Sequence, residues 1–228
     1  MLQGYGTSLL EGAALTVAVA LASLALALLL GLAGAAAKLS RSPFWHGAAT
    51  VYTTLIRGVP DLVLMLLVFF GGQIVVNALL QRLGLDYLDI DPFVAGVATL
   101  GFIFGADFTE TFRGAIIAVP RGQIEAGRAF GLTRAQVFRR ITGPQMLRFA
   151  IPSFTNNWLV LVKSTALVSV IGLNDMMQKA GQAAGATRQP FTFYLAVGVL
   201  YLAITTVSVL ALRALEQRVS RGVKVAAL

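Results

Sequence analysis

The 228-residue chain contains no cysteine. Disulfides, thiolate metal sites and thiol nucleophiles are thereby excluded, although the compartment is not fixed by that absence. A single histidine, His46, stands without a carboxylate neighbour and reads as an interfacial polar residue. Acid–base or metal-assisted chemistry has little to start from, and the chain is not expected to be an enzyme. No Gly-x-x-x-x-Gly-Lys loop occurs, so no cofactor is expected in this chain and any ATP would have to be hydrolysed by another chain. Charge is scarce as well. Asp, Glu, Lys and Arg make up 12% of the residues, about half the quarter usual for a soluble domain. There is no internal repeat and no low-complexity tail.

Apolar residues are what the chain has in quantity, at 57% with a mean hydropathy of +0.79. A crossing needs about 20 apolar residues, and five stretches qualify: 12–37, 62–80, 93–119, 149–173 and 191–212. The expectation is an all-α membrane protein, one transmembrane domain over 1–228. The first stretch, 26 residues without a charge, is too long for a signal-peptide core and is expected to remain as a helix. Its alanines and glycines favour close helix packing.

Basic residues set the expected orientation, because Lys and Arg stay in cytoplasmic loops. With the N-terminus outside, Lys38, Arg41, Arg57, Arg121, Arg128, Arg134, Arg139, Arg140, Arg148, Arg213, Arg218, Arg221 and Lys224 fall inside, against Arg82, Lys179 and Arg188 outside. The N-terminus is therefore expected to be periplasmic and the C-terminus cytoplasmic. Lys38 to Arg57 reads as a cytoplasmic segment with headgroup-level aromatics, Trp45 and Tyr52. Asp86, Asp89 and Asp91 read as solvated charges of an outer loop, and Asn174 to Pro190 as an outer connection long enough for a short surface helix.

Polar residues inside the spans carry the functional signal, since ionisable groups in lipid are costly and tend to mark pathways. Gly58 and Pro60 break a helix just before Asp61, which either lines a path or caps the restarted helix. Asp107, Glu110 and Arg113 recur every three residues and share one side of a helix. They form either an internal Glu110–Arg113 pair or a site in which carboxylates take a substrate cation and Arg113 forks onto a substrate carboxylate. In the fourth span Asn156, Asn157 and Thr165 suit helix bridging. Lys163 lies about ten residues from either end, beside Ser164, and lines the path or pairs across a subunit interface.

One stretch is polar and basic, RGQIEAGRAFGLTRAQVFRRITGPQMLR from Arg121 to Arg148. Ile124, Phe130, Leu132, Val137, Phe138 and Ile141 recur at helical spacing with arginines between them. The pattern predicts two short helices: Gly131 stops the first, Thr133 and Gln136 form a capping box for the second, and Pro144 forbids its easy continuation. A basic face resting on anionic lipid is one use for it. A DNA-reading module tethered this close to spans on both sides could hardly reach a duplex, so no nucleic acid is expected.

Glu125-Ala126-Gly127, then Gly131, Ile141 and Pro144 at fixed gaps, resemble the EAA loop of ABC importer permeases, with Gly127 for the third alanine and Gly143 for a leucine. LIRGVPDLVLMLL, GFIFGADFTETFRGA and VKSTALVSVIGL extend the resemblance over nearly the full length. The chain is similar to the polar amino acid branch of type I ABC permeases, the branch serving histidine, lysine, arginine and ornithine, with opine permeases among its members. The resemblance implies five spans in a bacterial inner membrane. It also implies a coupling helix within about 121–145 that uses Glu125, Ala126, Gly131, Thr133, Arg134 and Phe138 to dock an ATPase. The implied partners are a second homologous permease subunit, two ATP-binding cassette subunits and a periplasmic amino-acid-binding protein. The candidate substrate residues are Asp61, Asp107, Glu110, Arg113, Lys163 and Ser164; members of the branch carry an aromatic in place of Asp107, which leaves its role open between cation binding and holding Arg113.

Overall fold

The computed structural model describes residues 4–219, so Arg221 and Lys224 of the inner basic set lie outside the described residues. Among the described residues the chain is helical, in the order α1 (Gly6–Lys38), α2 (Pro43–Gly58), α3 (Asp61–Arg82), α4 (Pro92–Ile117), α5 (Arg121–Ala129), α6 (Arg134–Val137), a π turn (Phe138–Thr142), α7 (Gly143–Ser164), a 3-10 segment (Thr165–Ile171), α8 (Met176–Thr187) and α9 (Pro190–Val219). Five units are long and apolar enough to cross a membrane: α1, α3, α4, the run Arg134–Ile171 and α9.

The centre of the bundle is the contact between α1 and α4. Along α1 the buried residues Gly12, Thr16, Val19, Ala20, Ser23, Ala27, Gly31 and Ala35 recur every three or four positions, a narrow stripe of mostly small side chains. Lipid tails are as apolar as leucine, so such helices associate by close packing and not by escape from water. Gly101 receives Leu26, Gly105 receives Leu30, Gly31 abuts Phe108 and Gly34 abuts the Thr109 side chain. These pairs advance together along both helices, so α1 and α4 run parallel. The helix α7 and the 3-10 segment after it pack on α4 in the opposite sense, with Asn157 donating to the Thr111 hydroxyl at 3.0 Å and Val168 of the 3-10 segment against Gly96.

Three local expectations are corrected. Lys38 to Arg57 is largely a helix, α2, whose Tyr52 hydroxyl donates to the Phe102 carbonyl well inside α4. At 16 residues it is too short to register as a span. The connection before α9 does form a short helix with an exposed face, Gln182, Gly185 and Ala186, but the other face of α8 is seated: Met176, Ala180, Ala183 and Ala184 are buried, and Gly12 of α1 lets the Met176 backbone come close. Small residues make that seat, and they carry no strong hydropathy signal. Pro144, near the end of the polar Arg121–Arg148 stretch that forms an elbow between α4 and α7, does not interrupt the helix that follows either. The π turn closes with the Gly143 N–H donating to the Phe138 carbonyl, and Pro144 falls in the first turn of α7, where no N–H is required. From Arg134 to Ile171 the chain is one rod.

Candidate functional site

Lys38 ends α1 and Asp61 begins α3, while Asp107, Glu110 and Arg113 share one side of α4. The fold brings all of them together with Arg57 from α2. Glu110 accepts from two cations at once, the Lys38 ammonium and the Arg113 Nε, the latter at 2.9 Å. Arg57 Nε donates to Asp107 Oδ1 at 3.0 Å. Asp61 lies beside the Ser164 hydroxyl at the end of α7 and close enough to Asp107 for the two carboxylates to repel. Asp61 makes no capping contact with its own helix, and among the described residues it has no cation partner, unlike Asp107 and Glu110.

The internal Glu110–Arg113 pair is therefore present, and Glu110 is already neutralised. Lys38 and Arg57 are the members that sequence reasoning missed. It put both among the inner loop charges, whereas Lys38 is only 10% exposed and both are committed to α4. Charge balance was the available signal, because two carboxylates on the inward side of α4 call for more than one arginine.

Lys163 does not join this cluster. It faces a groove of about 440 Å³ between α7 and α9, walled by Leu159, Leu202, Thr205, Thr206, Val209 and Leu210 with Arg213 at one end, and it forms no ion pair among the described residues. Asp175, in the connection before α8, is buried and caps α8 by accepting from Gln178 N at 2.9 Å. Its other oxygen has no partner, and burial pushes the carboxyl up to about 6.

The elbow follows its sequence reading closely. Helix α5 ends at Ala129, Gly131 turns the chain at φ +78, and Thr133 and Gln136 form the reciprocal capping box that starts α6. Only Gly tolerates that φ without strain. Glu125, Ala126, Gly131, Thr133, Arg134 and Phe138 are all exposed, and Phe130 projects with 87% of its surface free. A groove of about 540 Å³ runs beside it, lined by Ala126, Gly127, Phe130, Leu132, Arg140 and Ile141. A methyl on Gly127 would stand 2.5 Å from the Ile141 side chain, and one on Gly143 would stand 2.9 Å from the Phe138 carbonyl that closes the π turn.

Residues 27–221 match the family described as binding-protein-dependent transport system inner membrane component. The chain is 54% identical over 224 residues, 98% of both chains, to the histidine/lysine/arginine/ornithine transport system permease protein HisQ of Salmonella typhimurium. It is 41% identical over 222 residues, 97% of this chain and 94% of the relative, to the octopine transport system permease protein OccQ of Rhizobium radiobacter. A crystal structure of an amino acid ABC transporter with histidines superposes with a TM-score of 0.81 at 30% identity, covering 94% of this chain and 95% of that one. An inward-facing MetNI methionine ABC transporter superposes at 0.77 with 20% identity over 95% and 98%, a likeness of fold alone. Sequence, elbow and helical bundle agree: the chain belongs to the binding-protein-dependent transport system inner membrane component family, the multi-pass permease subunits of ABC importers.

Proposed function

We propose that this permease carries basic amino acids of the histidine, lysine, arginine and ornithine class across a bacterial inner membrane, its whole length working as a single transmembrane domain. The observation that carries the reading is Asp61, a carboxylate at a break between two helices that has no cation of its own while its neighbours Asp107 and Glu110 do. A carboxylate without a counter-charge suits the cationic side chain of such a substrate. Asp107, Glu110, Arg113 and Ser164 shape the surrounding path, with Arg113 held by Glu110. Lys163, in a groove it shares with Arg213 and with no carboxylate in its lining, serves an interface with a second, homologous permease subunit that brings the missing carboxylate.

Two ATP-binding cassette subunits, which bind the ATP and Mg, dock on Glu125, Ala126, Gly131, Thr133, Arg134 and Phe138 at the elbow. A periplasmic binding protein delivers the substrate on the other side. The elbow and its arginines then face the cytoplasm, with the N-terminus periplasmic and the C-terminus cytoplasmic. The 54% identity to a permease of the histidine/lysine/arginine/ornithine system supports this substrate class over the opine class, which stands at 41%. Substrate biases such a switch by binding its states unequally. Radiolabelled arginine uptake into proteoliposomes holding the assembled transporter tests the reading. Asp61→Asn should lower uptake at least about tenfold, the loss of one charged contact; unchanged uptake removes Asp61 from the path.

A further inference from the structure

A second polar space lies on the other side of the ion cluster. Lys38, Thr53, Thr54, Arg57, Gly58 and Glu110 line a cleft of about 450 Å³ between α1, α2 and α4, roomy enough for an amino acid. Its lining carries two cations, Lys38 and Arg57, and one carboxylate, Glu110, while Asp107, outside the lining, pairs with Arg57. Glu110 is doubly engaged by Lys38 and Arg113, so it does not offset Arg57. The guanidinium of Arg57 meets Asp107 only through Nε; the two terminal nitrogens that form the planar fork have no partner among the described residues, and the side chain is 53% exposed. A guanidinium fork left open on a polar cleft matches an oxyanion bidentately.

We infer that this cleft is a carboxylate-receiving subsite of the translocation path, with Arg57 as its specificity-determining residue. The inference rests on the reading of the chain as an amino acid permease. A basic amino acid would be held at two places: its cation toward Asp61 and its carboxylate on the Arg57 fork, with the exposed Thr54 hydroxyl beside it. Arg57 belongs to α2 and Asp61 to α3, on either side of the Gly58–Pro60 break. A change in the angle at that break alters the span between the two subsites. A substrate that fits both therefore favours one angle over the other.

The absence of cysteine from the chain makes a direct test possible. A Cβ built on Gly58 meets no atom within 4 Å, so Gly58→Cys places a single thiol in the cleft. The assembled transporter in nanodiscs is treated with a maleimide, and alkylation of this chain is followed by mass spectrometry with arginine, with its decarboxylated amine agmatine, with glutamine and with inorganic phosphate. Arginine should protect the thiol better than agmatine. Arg57→Gln should raise the half-protecting concentration of arginine about 10- to 100-fold and leave that of agmatine in place. The subsite is overturned if Arg57→Gln changes nothing, if agmatine or phosphate protects as well as arginine, or if Asp107→Asn, which keeps the guanidinium, reproduces the loss. Protection by glutamine but not by arginine, lost in Arg57→Gln, would uphold the subsite and remove the basic-substrate reading instead.

Discussion

Two regions of this molecule are built from the same apolar alphabet and behave in opposite ways. Where α1 meets α4, glycines and alanines let backbones approach until Leu26, Leu30, Phe108 and Thr109 fill every gap. Along α3 and α9 the side chains are larger and equally apolar, yet the most hydropathic window of each is only 11% and 6% buried; Phe70, Ile74, Leu202 and Val207 stand more than half exposed. Hydropathy therefore identifies a span without telling which face is finished. In lipid, residue size decides it, because small residues permit the van der Waals contact that holds helices together. The α1–α4 seam is the subunit's completed interior, and the faces of α3 and α9 are open to lipid or to a neighbour.

Substitutions at matched glycines test this contrast most severely. Gly34→Leu drives a side chain into Thr109 and should cost about 3 kcal/mol or more by overpacking. Gly71→Leu on α3, where a Cβ meets nothing within 4 Å, should leave the melting temperature in detergent nearly unchanged. Equal losses at the two sites would erase the distinction between seam and open face. A smaller effect separates the polar stitches of the same seam. Lys38→Ala leaves a largely buried Glu110 with one cation and should cost about 2 to 3 kcal/mol, whereas Arg57→Ala, at a half-exposed pair, should cost under about 1 kcal/mol. Thermal unfolding of the two variants, measured side by side, checks the order.

The gentlest probe is pH, at the end of the seam where α8 seats on α1. Asp175 has a folded-state pKa of about 6, above its ordinary value of 3.8, because burial disfavours its charge. The folded chain then holds this proton longer than the unfolded one, so stability is fullest below pH 3.8 and declines as pH rises through 6. Asp175→Asn keeps an acceptor for the α8 cap and should flatten that decline, a change of a few degrees in melting temperature at most between pH 4 and 7. An unaltered pH profile in the variant would assign the decline to other groups.

Much of this was legible in the sequence, for identifiable reasons. The five spans are long runs, and the elbow is written in residues with sharp local preferences: Gly131 for a positive φ, Thr133 and Gln136 for a cap. Glu110 and Arg113 pair as their three-residue spacing allows. What stayed hidden depends on tertiary contact. Lys38 and Arg57 sit at helix ends in the sequence and look like loop charges until α4 supplies their carboxylates. The seat of α8 is made by alanines and a glycine, residues too weakly apolar to announce burial. The π turn at Phe138–Thr142 keeps the rod intact past Pro144 by a ring size that no residue pattern specifies.

That uninterrupted rod has a mechanical consequence. Thirty residues separate Arg134 from Ser164, roughly 45 Å at helical rise, with no loop between them to act as a spring. A displacement at the exposed tip is carried along one helical run toward the hydroxyl beside Asp61, and the π turn at Phe138–Thr142 and Pro152 inside α7 are the points at which that run can bend.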